Sequence, residues 1–158
     1  MRVLLSLAAM ALAASASAHV TVSPKESMAG AHETYEVRMP NEKQADTIAL
    51  ELRFPAGLKI NSIEQKPDWR TEPLRDASGA LVGVRWTGKL APMQFTRFGL
   101  LATNPSPPRN LVWTATQFYA DGTKVEWKGA AGSKTPAPLV TLVGGDHRMG
   151  PQEMTHSH

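Results

Sequence analysis

The sequence contains no cysteine among its 158 residues. This absence excludes a disulfide framework, thiolate metal sites and a cysteine nucleophile. Any metal ion must therefore be held by nitrogen, oxygen or thioether donors.

Basic runs and long apolar runs are also missing from most of the chain. The 17 Lys and Arg residues nearly balance the 14 Asp and Glu residues. The two signs of charge are spread along the sequence, with no basic run that could neutralise phosphate groups. We therefore expect no nucleic-acid partner. Beyond the first residues, no stretch of about 18 apolar residues occurs. We therefore expect no membrane span in the mature chain.

The amino terminus has the pattern of a secretory signal peptide. Arg2 precedes an apolar run from Val3 to Ala13, and the small-residue site Ala16-Ser17-Ala18 follows. The pattern predicts a signal over residues 1–18, a cut after Ala18 and a secreted or periplasmic protein that begins at His19. A cut after Ala16 also fits and would leave two residues ahead of His19.

Short segments of alternating polarity, bounded by Pro, Gly, Asn and Asp, indicate an all-β fold. The spacing favours a single β-sandwich of immunoglobulin or fibronectin-like architecture over residues 19–143, with a closed barrel as the alternative. Residues 144–158 have neither pattern nor apolar content, which predicts a disordered tail. About nine strands are expected, at residues 20–22, 34–39, 47–54, 58–63, 81–86, 94–101, 111–119, 124–127 and 139–143.

The dipeptide Asp121-Gly122 predicts a hairpin, because it supplies the positive φ angles of a two-residue turn. If Ala120 pairs with Thr123, Trp127 lies opposite Thr116. Trp127 then belongs to a sheet face, where the ordinary role of a tryptophan is core packing.

A chain that begins with histidine offers two nitrogen donors from one residue. The α-amine and the imidazole Nδ1 can bind one metal ion together and so close a chelate ring. A terminal amine has a pKa of about 7.7–8.0, so it deprotonates readily when it binds metal near neutral pH. Nitrogen donors in a planar arrangement suit Cu(II). Further ligands must be His, Asp, Glu, Met, backbone or water, and the candidates include His32 near a turn and Glu42 in the loop after the second predicted strand.

Several segments form a joint pattern that is more specific than any one of them. They are His19-Val20-Thr21-Val22, Arg38-Met39-Pro40-Asn41-Glu42-Lys43, Phe54-Pro55-Ala56-Gly57, Lys66-Pro67-Asp68-Trp69, Trp86-Thr87-Gly88 and the run from Gln117 to Trp127. Over residues 19–143 the pattern resembles the YcnI-like family of exported copper-binding domains.

The resemblance implies a β-sandwich that binds Cu(II) through a single-histidine brace. His19 would supply the amino terminus and ring, Glu42 the carboxylate, and Trp127 would lie beside the metal; Glu51 is the next carboxylate to test. The implied function is copper homeostasis, by sequestration or as a metallochaperone with a copper-transport partner protein, and not catalysis.

Two other interpretations remain open, and a third lacks the sequence motif it requires. An oxidative copper enzyme would need a second brace histidine, for which His32 is the candidate in the folded region. A copper-resistance sandwich would use an Asp-x-His triplet, which is absent. In a structural sandwich, His19 would be incidental. The tail could also bind copper loosely, through His147, Met149, Met154, His156 and His158.

Overall fold

The computed structural model describes residues 19–145. The predicted signal peptide and residues 146–158 of the predicted tail lie outside the described residues, while Gly144 and Gly145 follow the last strand without regular structure. The strands are β1 (Thr21–Ser23), β2 (Glu26–Met28), β3 (His32–Pro40), β4 (Thr47–Arg53), β5 (Lys59–Ile63), β6 (Arg70–Arg75), β7 (Leu81–Leu90), β8 (Phe95–Thr103), β9 (Asn110–Val112), β10 (Thr114–Tyr119), β11 (Lys124–Trp127) and β12 (Leu139–Val143).

The strands form the predicted β-sandwich. One sheet has the order β1-β3-β8-β5, the second β11-β10-β4-β7-β6, and a small third sheet β2-β12-β9. The all-β prediction is confirmed, but the described residues contain twelve strands rather than about nine. The sequence pattern missed β2 and β6, and its strand over residues 111–119 is divided at Trp113. Within residues 19–145 no helix has the length and hydropathy that a membrane crossing requires.

Alternating side chains from the two larger sheets build the core between them. On β3, Tyr35, Val37 and Met39 are fully buried and face the core. From the opposite sheet Trp86 stacks on Phe98, with ring centroids 4.3 Å apart. Burying each large apolar side chain contributes roughly 1.5–3 kcal/mol, so this interlayer packing is the main source of stability.

Strand β3 defines the two ends of the sandwich. It runs from His32 to Pro40, and its nine residues span about 26 Å at the usual rise of a strand. Thr21 of β1 pairs with Arg38 of β3 in antiparallel register. Continuing that register by two residues places His19 opposite Pro40. His19 therefore lies at the end of β3 that contains Pro40, which we call the Pro40 end; the other is the His32 end.

The turn between β10 and β11 differs from the prediction by one residue. The backbone N–H of Tyr119 donates to the carbonyl of Thr123 at 2.9 Å, so three residues rather than two connect the strands. In that turn only Gly122 has a positive φ, at 84°. The register consequently places Trp127 opposite Ala115, one position from the predicted partner. Because side chains alternate between sheet faces, this shift puts Trp127 on the buried face.

Candidate metal centre

His19 and Trp127 lie against each other at the side of the sandwich. Their ring centroids are 5.5 Å apart and the ring planes are inclined by 57°. His19 precedes β1, an edge strand of the four-stranded sheet, and Trp127 ends β11, an edge strand of the five-stranded sheet. The contact between the two rings therefore bridges the open side between the sheets.

A buried amide fixes the indole of Trp127. The indole Nε1 donates to Oε1 of Gln117 at 3.3 Å. The Nε2 of Gln117 donates in turn to the carbonyl of Pro40 and to Oγ1 of Thr47, both at 2.9 Å. Gln117 is fully buried. It thus links Trp127 directly to the chain segment that leads into Glu42.

Asn41 sets the course of the loop that contains Glu42. The Nδ2 of Asn41 donates to the carbonyls of Ala45 and Leu90 at 2.9 and 3.0 Å. Its Oδ1 accepts the backbone N–H of Lys43 at 3.0 Å. Because Asn41 is buried and fully engaged, the intervening Glu42 backbone is held at the Pro40 end, the end at which His19 lies.

The carboxylates of Glu42 and Glu51 have different surroundings. Glu51 is ion-paired with Arg53 at 2.7 Å and with Arg85 at 3.4 Å. It also lies on the outer face of the five-stranded sheet, whereas Trp127 lies on the inner face. Glu42 is exposed, and within residues 19–145 its side chain forms neither a salt bridge nor a hydrogen bond. Of the two, Glu42 is therefore the carboxylate available to a cation.

The charge of Glu42 acts on the neighbouring hairpin. Burial raises the pKa of Tyr119, a hydrogen bond from Thr47 opposes the rise, and the negative charges of Asp121 and Glu42 add to it. The ammonium of Lys43 lies 4.4 Å from the centre of the Tyr119 ring. The loop after β3 is therefore folded against the β10–β11 hairpin.

His19 also borders an open groove of about 630 Å³. The groove is lined by Thr21 and Lys25 on one side and by parts of the segment between β11 and β12 on the other. Partial burial lowers the pKa of Lys25, and the positive charge of Arg38 lowers it further. The half-exposed imidazole is thus reachable from solvent along a groove that already contains a cationic side chain.

His32, the candidate for a second brace histidine, lies at the far end of the molecule. Its Nδ1 is 3.0 Å from Oγ1 of Thr103, its partner on β8. The length of β3 separates it from Pro40 and hence from His19 by about 26 Å. His32 therefore cannot share a metal ion with His19.

The side-chain donors around His19 are too few to enclose a metal ion by themselves. Among residues 19–145, no group of three or more His, Cys, Asp or Glu side chains is arranged to hold one. The α-amine of a chain that begins at His19 would add a donor to the imidazole and the Glu42 carboxylate. Such a set of nitrogen and oxygen donors fits Cu(II) in character.

The sequence reasoning missed the role of Gln117. In β10 the buried positions alternate as Ala115, Gln117 and Tyr119. A polar amide at an inward position of a strand is unusual, because a buried polar group must find hydrogen-bond partners. The inward position of this amide was the signal available in the sequence. Its hydrogen-bond partners include Trp127 of the candidate site and Pro40, which precedes the loop that contains Glu42.

Known proteins are similar to this chain in sequence and in architecture. The sequence profile of a family described as "Domain of unknown function (DUF1775)" matches residues 19–142. The copper-binding protein CutI of Bacillus subtilis (strain 168) is 35% identical over 131 residues, which make up 82% of this chain and 64% of CutI. This chain therefore spans less than two thirds of the length of CutI.

Two solved structures support the fold. A protein from Nocardia farcinica, described as uncharacterized with an immunoglobulin-like fold, superposes with a TM-score of 0.67 at 30% identity, covering 80% of this chain and 99% of that one. A non-cellulosomal cohesin from Archaeoglobus fulgidus gives a TM-score of 0.51 at 15% identity, covering 81% of this chain and 92% of the cohesin. The cohesin likeness concerns the fold alone.

Proposed function

Because the chain belongs to the DUF1775 family, we propose that it is an exported protein that binds Cu(II). The relative CutI is named as a copper-binding protein. The observation that carries the proposal is the placement of the His19 ring against the Trp127 ring, at 5.5 Å. This pairing sets the one histidine that a signal cut would turn into an amino terminus beside a buried, oriented indole.

The proposed site forms when the signal is cut after Ala18. Until then the α-nitrogen of His19 is a peptide amide and cannot act as an amine donor. After the cut, the amine and imidazole Nδ1 chelate one Cu(II), and Glu42 supplies a carboxylate oxygen. Trp127 shields one side of the ion from water without being a strong ligand. Copper binding of this type therefore belongs to the secreted or periplasmic form.

Copper is the cargo of this protein in the proposal, held for sequestration or passed to a copper-transport partner. The distance between His19 and His32 argues against a two-histidine oxidative site, because the second histidine would lie about 26 Å away. The solvent-reachable groove beside His19 supports exchange of the ion with the surroundings. We therefore favour a carrier over an enzyme.

The test is Cu(II) titration of the mature protein, monitored by electron paramagnetic resonance. His19→Ala and Glu42→Ala should each change the spectrum and weaken binding, while Glu51→Ala, the matched control, should not. A chain that begins two residues earlier, at Ser17, cannot form the brace, although all side chains are intact. Its terminal amine, two backbone nitrogens and the His19 imidazole would form a different Cu(II) chelate, so its spectrum should differ from that of the chain that begins at His19. A wild-type spectrum from either the His19 variant or the extended chain would refute the brace.

Mass spectrometry of the exported protein checks the first step independently. The proposal requires a mature chain that begins at His19. A mass that corresponds to a start at Ser17 would rule out the brace and leave the fold unaffected.

A further inference from the structure

Met93 is an exposed residue in an unfavourable conformation. The residue is 96% exposed, and its φ of 66° lies in the left-handed region. For a residue other than glycine, this conformation costs about 1–2 kcal/mol. An exposed methionine recovers none of that cost through burial.

The turn that contains Met93 explains the conformation. The backbone N–H of Gln94 donates to the carbonyl of Ala91 at 3.2 Å, which closes a four-residue turn. Pro92 occupies the second position and Met93 the third, where a type II turn requires a positive φ and glycine is preferred. Neither packing nor backbone preference favours methionine here. The thioether is the functional group that methionine offers at this position and glycine lacks.

Two backbone hydrogen bonds connect this turn to the loop of the proposed copper site. The backbone N–H of Asn41 donates to the carbonyl of Gln94 at 2.8 Å, and that of Met93 donates to the carbonyl of Asn41 at 2.9 Å. Glu42 and Met93 line the same open cavity of about 380 Å³. The backbone of Met93 is therefore held beside the loop that contains Glu42, the carboxylate assigned to Cu(II).

We propose that Met93 is a thioether ligand for monovalent copper, Cu(I), beside the Cu(II) site. This inference rests on the proposed copper function. Thioether sulfur is a soft donor that suits Cu(I), whereas the amine, imidazole and carboxylate donors around His19 suit Cu(II). The proposal concerns copper that arrives already monovalent, so it includes no electron transfer. The two donor sets, on neighbouring segments, would let one end of the sandwich hold copper in either state.

The test uses the mature full-length protein with ¹³C-labelled methionine methyl groups. Silver(I) serves as a redox-inert probe for Cu(I), and the Met93 resonance is assigned by its absence in Met93→Leu. We expect the Met93 methyl to shift with the first equivalent of silver(I). In competition with a Cu(I) chelator, Met93→Leu should bind Cu(I) at least about ten-fold more weakly, since even outer partners of a metal site contribute 10–100-fold.

Met28→Leu is the matched control. Met28 is 49% exposed and lies at the His32 end, where its carbonyl accepts a hydrogen bond from Asn104. This variant should bind Cu(I) like the wild type. A Met93 methyl that does not move, a shift confined to Met149 and Met154, or wild-type Cu(I) affinity in Met93→Leu would each overturn the inference. The Cu(II) titration of the wild type decides the proposed function separately, because it does not depend on Met93.

Discussion

We expect Gln117→Leu to destabilise the fold and to weaken Cu(II) binding at the same time. Leucine has a similar volume but offers no hydrogen bonds. The substitution leaves the Pro40 carbonyl, the Thr47 hydroxyl and the Trp127 N–H without the partner they have at 2.9, 2.9 and 3.3 Å. At about 1 kcal/mol for each buried hydrogen bond, less for the longest one, the free energy of unfolding should fall by about 2–3 kcal/mol.

For a domain of this size, such a loss lowers the melting temperature by about 8–11 °C. Urea unfolding monitored by tryptophan fluorescence measures the free energy directly. The copper affinity should fall by about ten-fold if the proposed site is correct, since Gln117 orients the Trp127 indole in the way that an outer partner orients a metal ligand. The affinity is measured at a temperature where both proteins are folded.

Asn104→Leu is the control, because Asn104 is the corresponding buried amide at the His32 end. Its Nδ2 donates to Oγ of Ser27 and to the carbonyl of Met28 at 2.9 and 2.8 Å, and its Oδ1 accepts the hydroxyl of Tyr35 at 2.6 Å. We expect a similar loss of stability with unchanged Cu(II) affinity. Equal copper affinities for the two variants would refute the positioning role of Gln117.

Three further predictions test separate parts of the structure. His32→Ala should leave the Cu(II) resonance spectrum unchanged; a changed spectrum would contradict the separation of the two histidines. Met93→Gly should raise the melting temperature by about 4 °C, because glycine relieves roughly 1 kcal/mol of left-handed backbone cost; a lower melting temperature would contradict the assigned conformation. Hydrogen bonds from Thr123 hold the pKa of Asp121 below its ordinary value. The ionised carboxylate therefore stabilises the fold at pH values above the ordinary pKa of an aspartate, and this stabilisation is lost as the pH falls through the pKa of the folded state. The stability difference between the wild type and Asp121→Ala should therefore be largest near neutral pH and shrink in acid, as measured by urea unfolding across pH.

The fold class followed from polarity alternation, but local registers did not. An Asp-Gly pair suits both a two-residue turn and a three-residue turn that ends in a left-handed glycine. Here the Asp121 carboxylate accepts the backbone N–H and the hydroxyl of Thr123 at 2.9 and 2.6 Å, which favours the longer turn. Strict alternation over residues 47–54 would put Ile48 on the same face as Leu50. An irregularity in the pairing of β4 with β7 instead leaves Ile48 39% exposed.

Candidate donors for the site could be named from the sequence, but their geometry could not. A histidine directly after a predicted signal cut offers an amine and an imidazole as donors whatever the fold. The contact between His19 and Trp127 could not be derived in this way, because it depends on how two edge strands from different sheets meet. The distinction between Glu42 and Glu51 likewise required the positions of Arg53 and Arg85. Nothing in the sequence indicated that Met93 occupies a turn position suited to glycine.

The pairing of β1 has a consequence for the resistance to proteases of a chain that begins at His19, as the proposed signal cut would leave it. Val20 is 1% exposed and Val22 is fully buried, so the residues directly after His19 are anchored in the core and paired with β3. An aminopeptidase needs a loose chain end that can enter its active site. To remove His19, such an enzyme would first have to separate β1 from β3 and expose the buried side chains of Val20 and Val22. In a chain cut after Ala18, as proposed, the fold that positions His19 would thus also protect it from exopeptidases.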